Sequence, residues 1–174
     1  MELEPPDSHH LSAAIGWLGL GSHTEANEEL EKISAKNRAD PSFLAVKFEV
    51  CCRAGRWDLA AENAAQLVKL QPDQPMAWIT LAYATRRKQD GGIPQAREVL
   101  MPAQKLFPKE WLIPYNLACY ECQLGNKKKA RAWLKKAFDL GDAKQLKLMA
   151  LKDPDLEPFW VEIGETGFEF PQTE

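Results

Sequence analysis

The chain has 174 residues, 45% hydrophobic and 27% charged, with 22 Lys and Arg against 25 Asp and Glu. These figures suit one folded domain or a short run of repeats, and exclude wholesale disorder and a collagen-like fibre. A formal charge of −3 argues against general nucleic-acid binding, no uncharged run nears the ~18 residues of a membrane span, and the acidic start lacks the order of a secretory signal; the expected compartment is the cytoplasm.

Residues 1–6 read as an N-terminal extension. From residue 7 onward, small and apolar side chains recur in register. Ala26, Ala60, Ala96 and Ala130 lie 34, 36 and 34 residues apart. Leu30, Ala64, Leu100 and Leu134 repeat with them, as do Ile33, Leu67, Ala103 and Ala137, and upstream Ala14, Phe48, Ala82 and Ala118. Columns that share one period mark repeated units, here 7–40, 41–74, 75–110 and 111–142.

Each unit reads as two helices joined by a turn, marked by Gly21, Gly55 and Gly125 in units one, two and four. In unit two, Phe43, Leu44, Phe48 and Cys51 recur at helical spacing. Gly55 stops that helix, and a second runs from about Asp58 to Leu70 before Pro72. Ser22 followed by Glu25 has the spacing of a capping box, and Pro41 and Pro75 stand where new helices begin. The third unit carries an expanded turn at residues 88–94, and Pro102 inside its second helix predicts a kink or break. A lone helix pair cannot bury its apolar stripe, but stacked pairs can, with the alanine columns allowing close approach and Trp57, Leu81, Leu117 and Tyr120 filling the gaps.

The stretch from Tyr115 through Gly125, with Ala130, Leu134 and Ala137, resembles the tetratricopeptide repeat (TPR) family. Gly55 through Ala60 and Trp78 through Ala82 add to the likeness, which spans residues 7–142. It implies an all-α fold: an α-α superhelix (TPR solenoid) of four helix-turn-helix repeats, whose first unit serves partly as an end cap, with capping helices at 143–163 and an acidic tail at 164–174. It implies no catalysis, since the family is a binding scaffold.

The resemblance places ligands on the concave surface built by the first helices. The matching positions are Ala45, Glu49, Cys52 and Arg53, then Ile79, Thr80, Tyr83, Arg86 and Arg87, then Tyr115, Asn116, Cys119, Cys122 and Gln123. Tyrosines and arginines there supply contact area with directed hydrogen bonds. The expected partner is a peptide or helix of another protein. A secretion-type chaperone and a self-assembling scaffold, which would make the chain a homo-oligomer, are the alternatives. The lysine–asparagine clamp of the co-chaperone subgroup does not match: Leu11, Ile15, Met76 and Thr80 occupy its slots, with only Asn116 of a suitable type.

Residues 111–152 are basic and residues 153–174 hold seven acids and no base. The Lys127, Lys128, Lys129, Arg131, Lys135 and Lys136 run reads as a solvated face. The sharper alternative folds the tail 164–174 back on it or docks Phe168 and Phe170 in the groove. Cys119-x-x-Cys122 puts two thiols one helical turn apart but brings no histidine pair to complete a zinc set, and Cys51 and Cys52 point to different faces. His9, His10 and His23 read as isolated and exposed. Glycines at 16, 19 and 21 lack the Lys-Ser/Thr of a phosphate loop. No cofactor and no metal is expected.

Overall fold

Three of the turns repeat one hydrogen-bond device. In each, a glycine adopts positive φ (Gly21 at 82°, Gly55 at 69°, Gly125 at 77°). The next residue's N–H then reaches back five residues: Ser22 to the Trp17 carbonyl at 2.9 Å, Arg56 to Cys51 at 2.8 Å, Asn126 to Glu121 at 2.8 Å. This closes the first helix with a Schellman motif and starts the second one immediately. An L side chain is strained at that φ, which is why glycine holds the position. Ser22 makes no side-chain cap bond, so the capping-box expectation fails. In this tight turn the residue serves the end of one helix and the beginning of the next, and its ψ of 83° is not that of a usual N-cap.

The computed structural model describes residues 3–165. Among them are ten α-helices: α1 (Asp7–Gly19), α2 (His23–Glu31), α3 (Pro41–Arg53), α4 (Trp57–Leu70), α5 (Pro75–Thr85), α6 (Ile93–Leu106), α7 (Leu112–Gln123), α8 (Lys127–Leu140), α9 (Ala143–Ala150) and α10 (Trp160–Gly164). Short 3-10 turns lie at Ala35–Asn37 and Pro154–Phe159. No strand occurs among the described residues, so the chain is all-α. None of these helices is long and apolar enough to cross a membrane.

The helices gather into two compact units, Met1–Gly92 and Ile93–Glu174. In the N-terminal unit α1 to α5 pack in sequence order. Ala14, Ala26, Leu30, Ile33 and Leu44 form one buried cluster with Phe43 and Leu67, and Ala60, Ala64 and Ala84 a second with Phe48 and Cys51. The alanine columns are fully enclosed (Ala26 and Ala60 at 0% exposure), which lets successive helices approach closely. Asp7 ties the start of α1 to the first 3-10 turn, accepting from the Ser34 N–H at 3.1 Å and from Asn37 Nδ2 at 2.7 Å. His10 is not isolated: its Nδ1 lies 2.8 Å from Glu29 Oε2.

In the C-terminal unit α6, α7 and α8 pack around Leu100, Ile113, Leu117, Ala118 and Leu134, all at 0% exposure. Tyr120 is buried there too, while Trp57 and Leu81 in the other unit are half-buried. Glu121 is buried and held by Arg97 Nε and Asn126 Nδ2, the pairing that makes an interior carboxylate tolerable. The α6 helix runs unbroken through Pro102. Pro102 and Glu98, whose carbonyl loses its partner, both lie on the exposed side, where water can take the freed acceptor. The connection from α5 to α6 is longer than the three glycine turns, as its sequence predicts, and is closed by the Gly92 N–H on the Thr85 carbonyl at 3.1 Å.

Candidate functional site

On the N-terminal unit, Pro41, Ala45, Phe48 and Glu49 of α3 face Met76, Ala77 and Thr80 of α5 across a cleft of about 390 Å3, with Leu67, Gln71 and Gln74 also lining it. Proline at the first position of both helices presets the backbone where its missing N–H costs nothing. The α3 start is also capped by Asp40, which accepts from the Ser42 N–H at 2.8 Å. One rim is polar, where Glu49 pairs with Arg53 at 2.7 Å. The other is apolar, where Met76 is 56% exposed. The Thr80 hydroxyl is turned to its own helix, donating to the Ala77 carbonyl at 2.9 Å.

Further along α5, Arg87 lies over the Tyr83 ring at 3.7 Å and 5.4 Å from the Trp57 ring, and Tyr83 meets Trp57 edge-on at 5.9 Å. Arg87 also donates to the Tyr83 carbonyl at 3.0 Å. This stack presets a flat cationic–aromatic surface in which Tyr83 stays 42% exposed. Of the other predicted residues, Arg86 and Cys52 are half-buried and Ile79 belongs to the interior. Burial, followed by the Glu49 charge, pushes the Cys52 thiol up to about 11. Burial also raises Cys51, so neither thiol has the thiolate character of a nucleophile.

The C-terminal unit treats the same columns differently. Tyr115 and Cys119 of α7 are 4% and 3% exposed, lying under the 3-10 turn Pro154–Phe159. The Tyr115 hydroxyl donates to Asp153 Oδ2 at 3.0 Å, and the Cys119 thiol approaches the same oxygen at 3.4 Å. Gln123 Nε2 donates to the Asp155 carbonyl at 3.1 Å. Leu156 and Phe159 bury themselves in the unit at 0% and 2% exposure. Asn116 is occupied by its own helix, donating to the Leu112 carbonyl at 2.8 Å. Burial, with the charges of Cys119 and Asp153 behind it, raises the Tyr115 hydroxyl far above its ordinary range. Arg131 of the basic run grips Glu162 of α10 through two bonds of 2.8 and 2.9 Å. Residues 166–174, and with them the docking expected of Phe168 and Phe170, lie outside the described residues.

Sequence reasoning placed Leu156 and Phe159 in a capping segment but missed Asp153 and Asp155 as partners of α7. The available signal was local: Asp153 precedes Pro154 as an N-cap, and its Oδ1 accepts the Asp155 N–H at 3.0 Å. Nothing local shows that its other oxygen reaches back to Tyr115.

No protein-family model matches the chain, and no curated protein matches it. Among solved structures it is similar to TTC0263, a thermophilic TPR protein of Thermus thermophilus, at a TM-score of 0.67 and 23% identity over 91% of this chain and 83% of that one. The chain therefore has a TPR-like helical-repeat fold.

Proposed function

We propose that the chain is a non-catalytic protein-interaction module that takes a peptide or helix of a partner protein on the first-helix face of its N-terminal unit. A TPR-like fold serves in general for protein–protein interaction, and supports this reading at the level of class. The observation that carries it further is the open cleft between α3 and α5, with Met76 and Tyr83 exposed beside it. An apolar rim for burial, a Glu49–Arg53 pair and a stacked Arg87 for orientation make an anchor set for one segment. Glu49, Cys52, Arg53, Tyr83, Arg86 and Arg87 carry this role. Tyr115 and Cys119 instead engage the chain's own C-terminal turn.

The test is affinity capture from native extract with the full chain, in parallel with Met76→Glu and Tyr83→Ala. A partner retained by the wild type and lost by both variants at unchanged thermal stability supports the reading. Retention by both variants overturns it. The exposure of Ile15 (53%) on α1 and Leu20 (78%) at its C-cap favours a second reading, self-association through that helix. A monomer's sedimentation coefficient at every concentration dismisses it.

A further inference from the structure

Cys119 and Cys122 stand three residues apart on α7 and so share one helix face. They offer half of a tetrahedral ligand set, and the fold delivers two carboxylates to them from more than thirty residues away. The Cys119 Sγ and one carboxylate oxygen each of Asp153 and Asp155 lie within 4.8 Å of one another. The Cys119 Sγ to Asp153 Oδ2 separation of 3.4 Å is near the ~3.5 Å edge of a tetrahedron built on Zn–S bonds of ~2.3 Å and Zn–O bonds of ~2.0 Å. Cys122 is 6% exposed, and among the described residues its thiol makes no hydrogen bond.

Charge points the same way. Two carboxylates sit beside two enclosed thiols. Lys127 offsets part of that field at Cys122, while Arg131 is committed to Glu162. Asp153 is also oriented by the Tyr115 hydroxyl on Oδ2 and the Asp155 N–H on Oδ1, the kind of supporting bond that fixes a metal ligand.

We propose that Cys119, Asp153 and Asp155, joined by Cys122 once its side chain turns toward that group, form a site for one divalent transition-metal ion of the zinc type, which clasps the Pro154–Phe159 turn to α7. Two sulfurs disfavour magnesium and calcium, which take oxygen ligands, and suit a borderline ion such as Zn2+. On binding, each thiol S–H bond breaks and its proton leaves to solvent. Two metal–sulfur and two metal–oxygen bonds form, and no electron is transferred. The ion supplies the positive charge that stabilises thiolates in this buried setting.

The experiment is a Co2+ titration of the reduced full-length protein. A thiolate-to-cobalt charge-transfer absorption rising to saturation at one equivalent, and abolished by Zn2+, is expected. Cys119→Ser and Asp155→Asn should each weaken binding by more than the ~10–100-fold that loss of a supporting partner causes. The double variant Cys51→Ser/Cys52→Ser should titrate as the wild type does. No charge-transfer band at excess Co2+, or a titration of Cys119→Ser indistinguishable from the wild type, overturns the site. Should a variant fail to fold, the wild type still decides. Zn2+ must slow alkylation of Cys119 and Cys122, read by peptide mass spectrometry, with Cys52 as the internal reference. Equal alkylation rates with and without Zn2+ overturn the proposal.

Discussion

In the N-terminal unit, the face carrying Ala45, Glu49 and Arg53 on α3, continued by Tyr83 on α5 and Arg87 just beyond its end, borders an open cleft. In the C-terminal unit the counterpart face of α7, with Tyr115, Cys119 and Gln123, is covered by the chain's own turn. The side chains account for the contrast. Ala45 and Glu49 offer no donor to hold a carboxylate and Arg53 is turned to Glu49 on its own helix, whereas a tyrosine hydroxyl, a thiol and a glutamine amide donate toward Asp153 and Asp155 along one helix. The last repeat has no following pair to enclose its apolar surface, and Leu156 and Phe159 supply that enclosure. A repeat column is thus a position rather than a site: what occupies it depends on which segment can reach it.

The sharpest way to break this contrast is to remove the plug. Phe159→Ala empties a site 2% exposed, and should destabilise the protein by ~3–5 kcal/mol in urea unfolding. It should also speed modification of Cys119 and Cys122 while leaving Cys51 and Cys52 in the N-terminal unit at their wild-type rates. Unchanged labelling of the α7 thiols would mean that the turn does not protect them. Tyr115→Phe is milder. It deletes one bond to a charged acceptor, so the loss should fall toward the lower end of ~1.5–3 kcal/mol, because Asp153 keeps its contacts with Cys119 and the Asp155 N–H.

Two substitutions ask where the units behave alike. Nothing lies within 4 Å of a Cβ built on Gly55 or Gly125, and both have positive φ. Alanine at either should therefore cost about 1–2 kcal/mol from backbone strain alone. Thermal unfolding that shows one substitution to be neutral would separate turns that the hydrogen bonds make equivalent. A pH series probes a feature of the N-terminal unit. The Ser34 N–H, followed by the Asn37 side chain, holds the Asp7 carboxyl below its ordinary value of 3.8. The unfolded chain then binds the proton first. The contribution of Asp7 is complete above that ordinary value and is lost as pH falls through the lower folded one. Urea midpoints of Asp7→Asn should vary less with pH across that acid range than those of the wild type.

The repeats were legible because their determinants are local: alanines at a fixed interval, glycines at the turn, prolines at helix starts. The all-α, TPR-like fold follows from those features. What stayed hidden is non-local. Asp153 lies 38 residues from Tyr115, and an aspartate before proline reads as a cap whether or not its second oxygen reaches another helix. Ser22, and the break expected at Pro102, misled for the opposite reason. Each carries a strong local signal, but a shared turn geometry made the first cap bond unnecessary, and solvent on the exposed side of α6 made the helix tolerant of the second.

The smallest expected change in stability falls at the most informative position. Met76 is 56% exposed at the rim of the N-terminal cleft, so Met76→Glu removes little buried surface and should shift unfolding by no more than ~0.5 kcal/mol. At a binding face the same change places an unpaired charge where a partner's apolar side chain would sit, and desolvating it there opposes association. Wild-type stability with lost partner capture would thus mark the α3–α5 face as the working surface. The matching change on the closed unit, Gln123→Glu, removes a donor to the Asp155 carbonyl and should leave capture intact. If instead Gln123→Glu abolishes capture while Met76→Glu does not, the roles of the two faces are reversed, and the covered face of α7 is the one a partner must open.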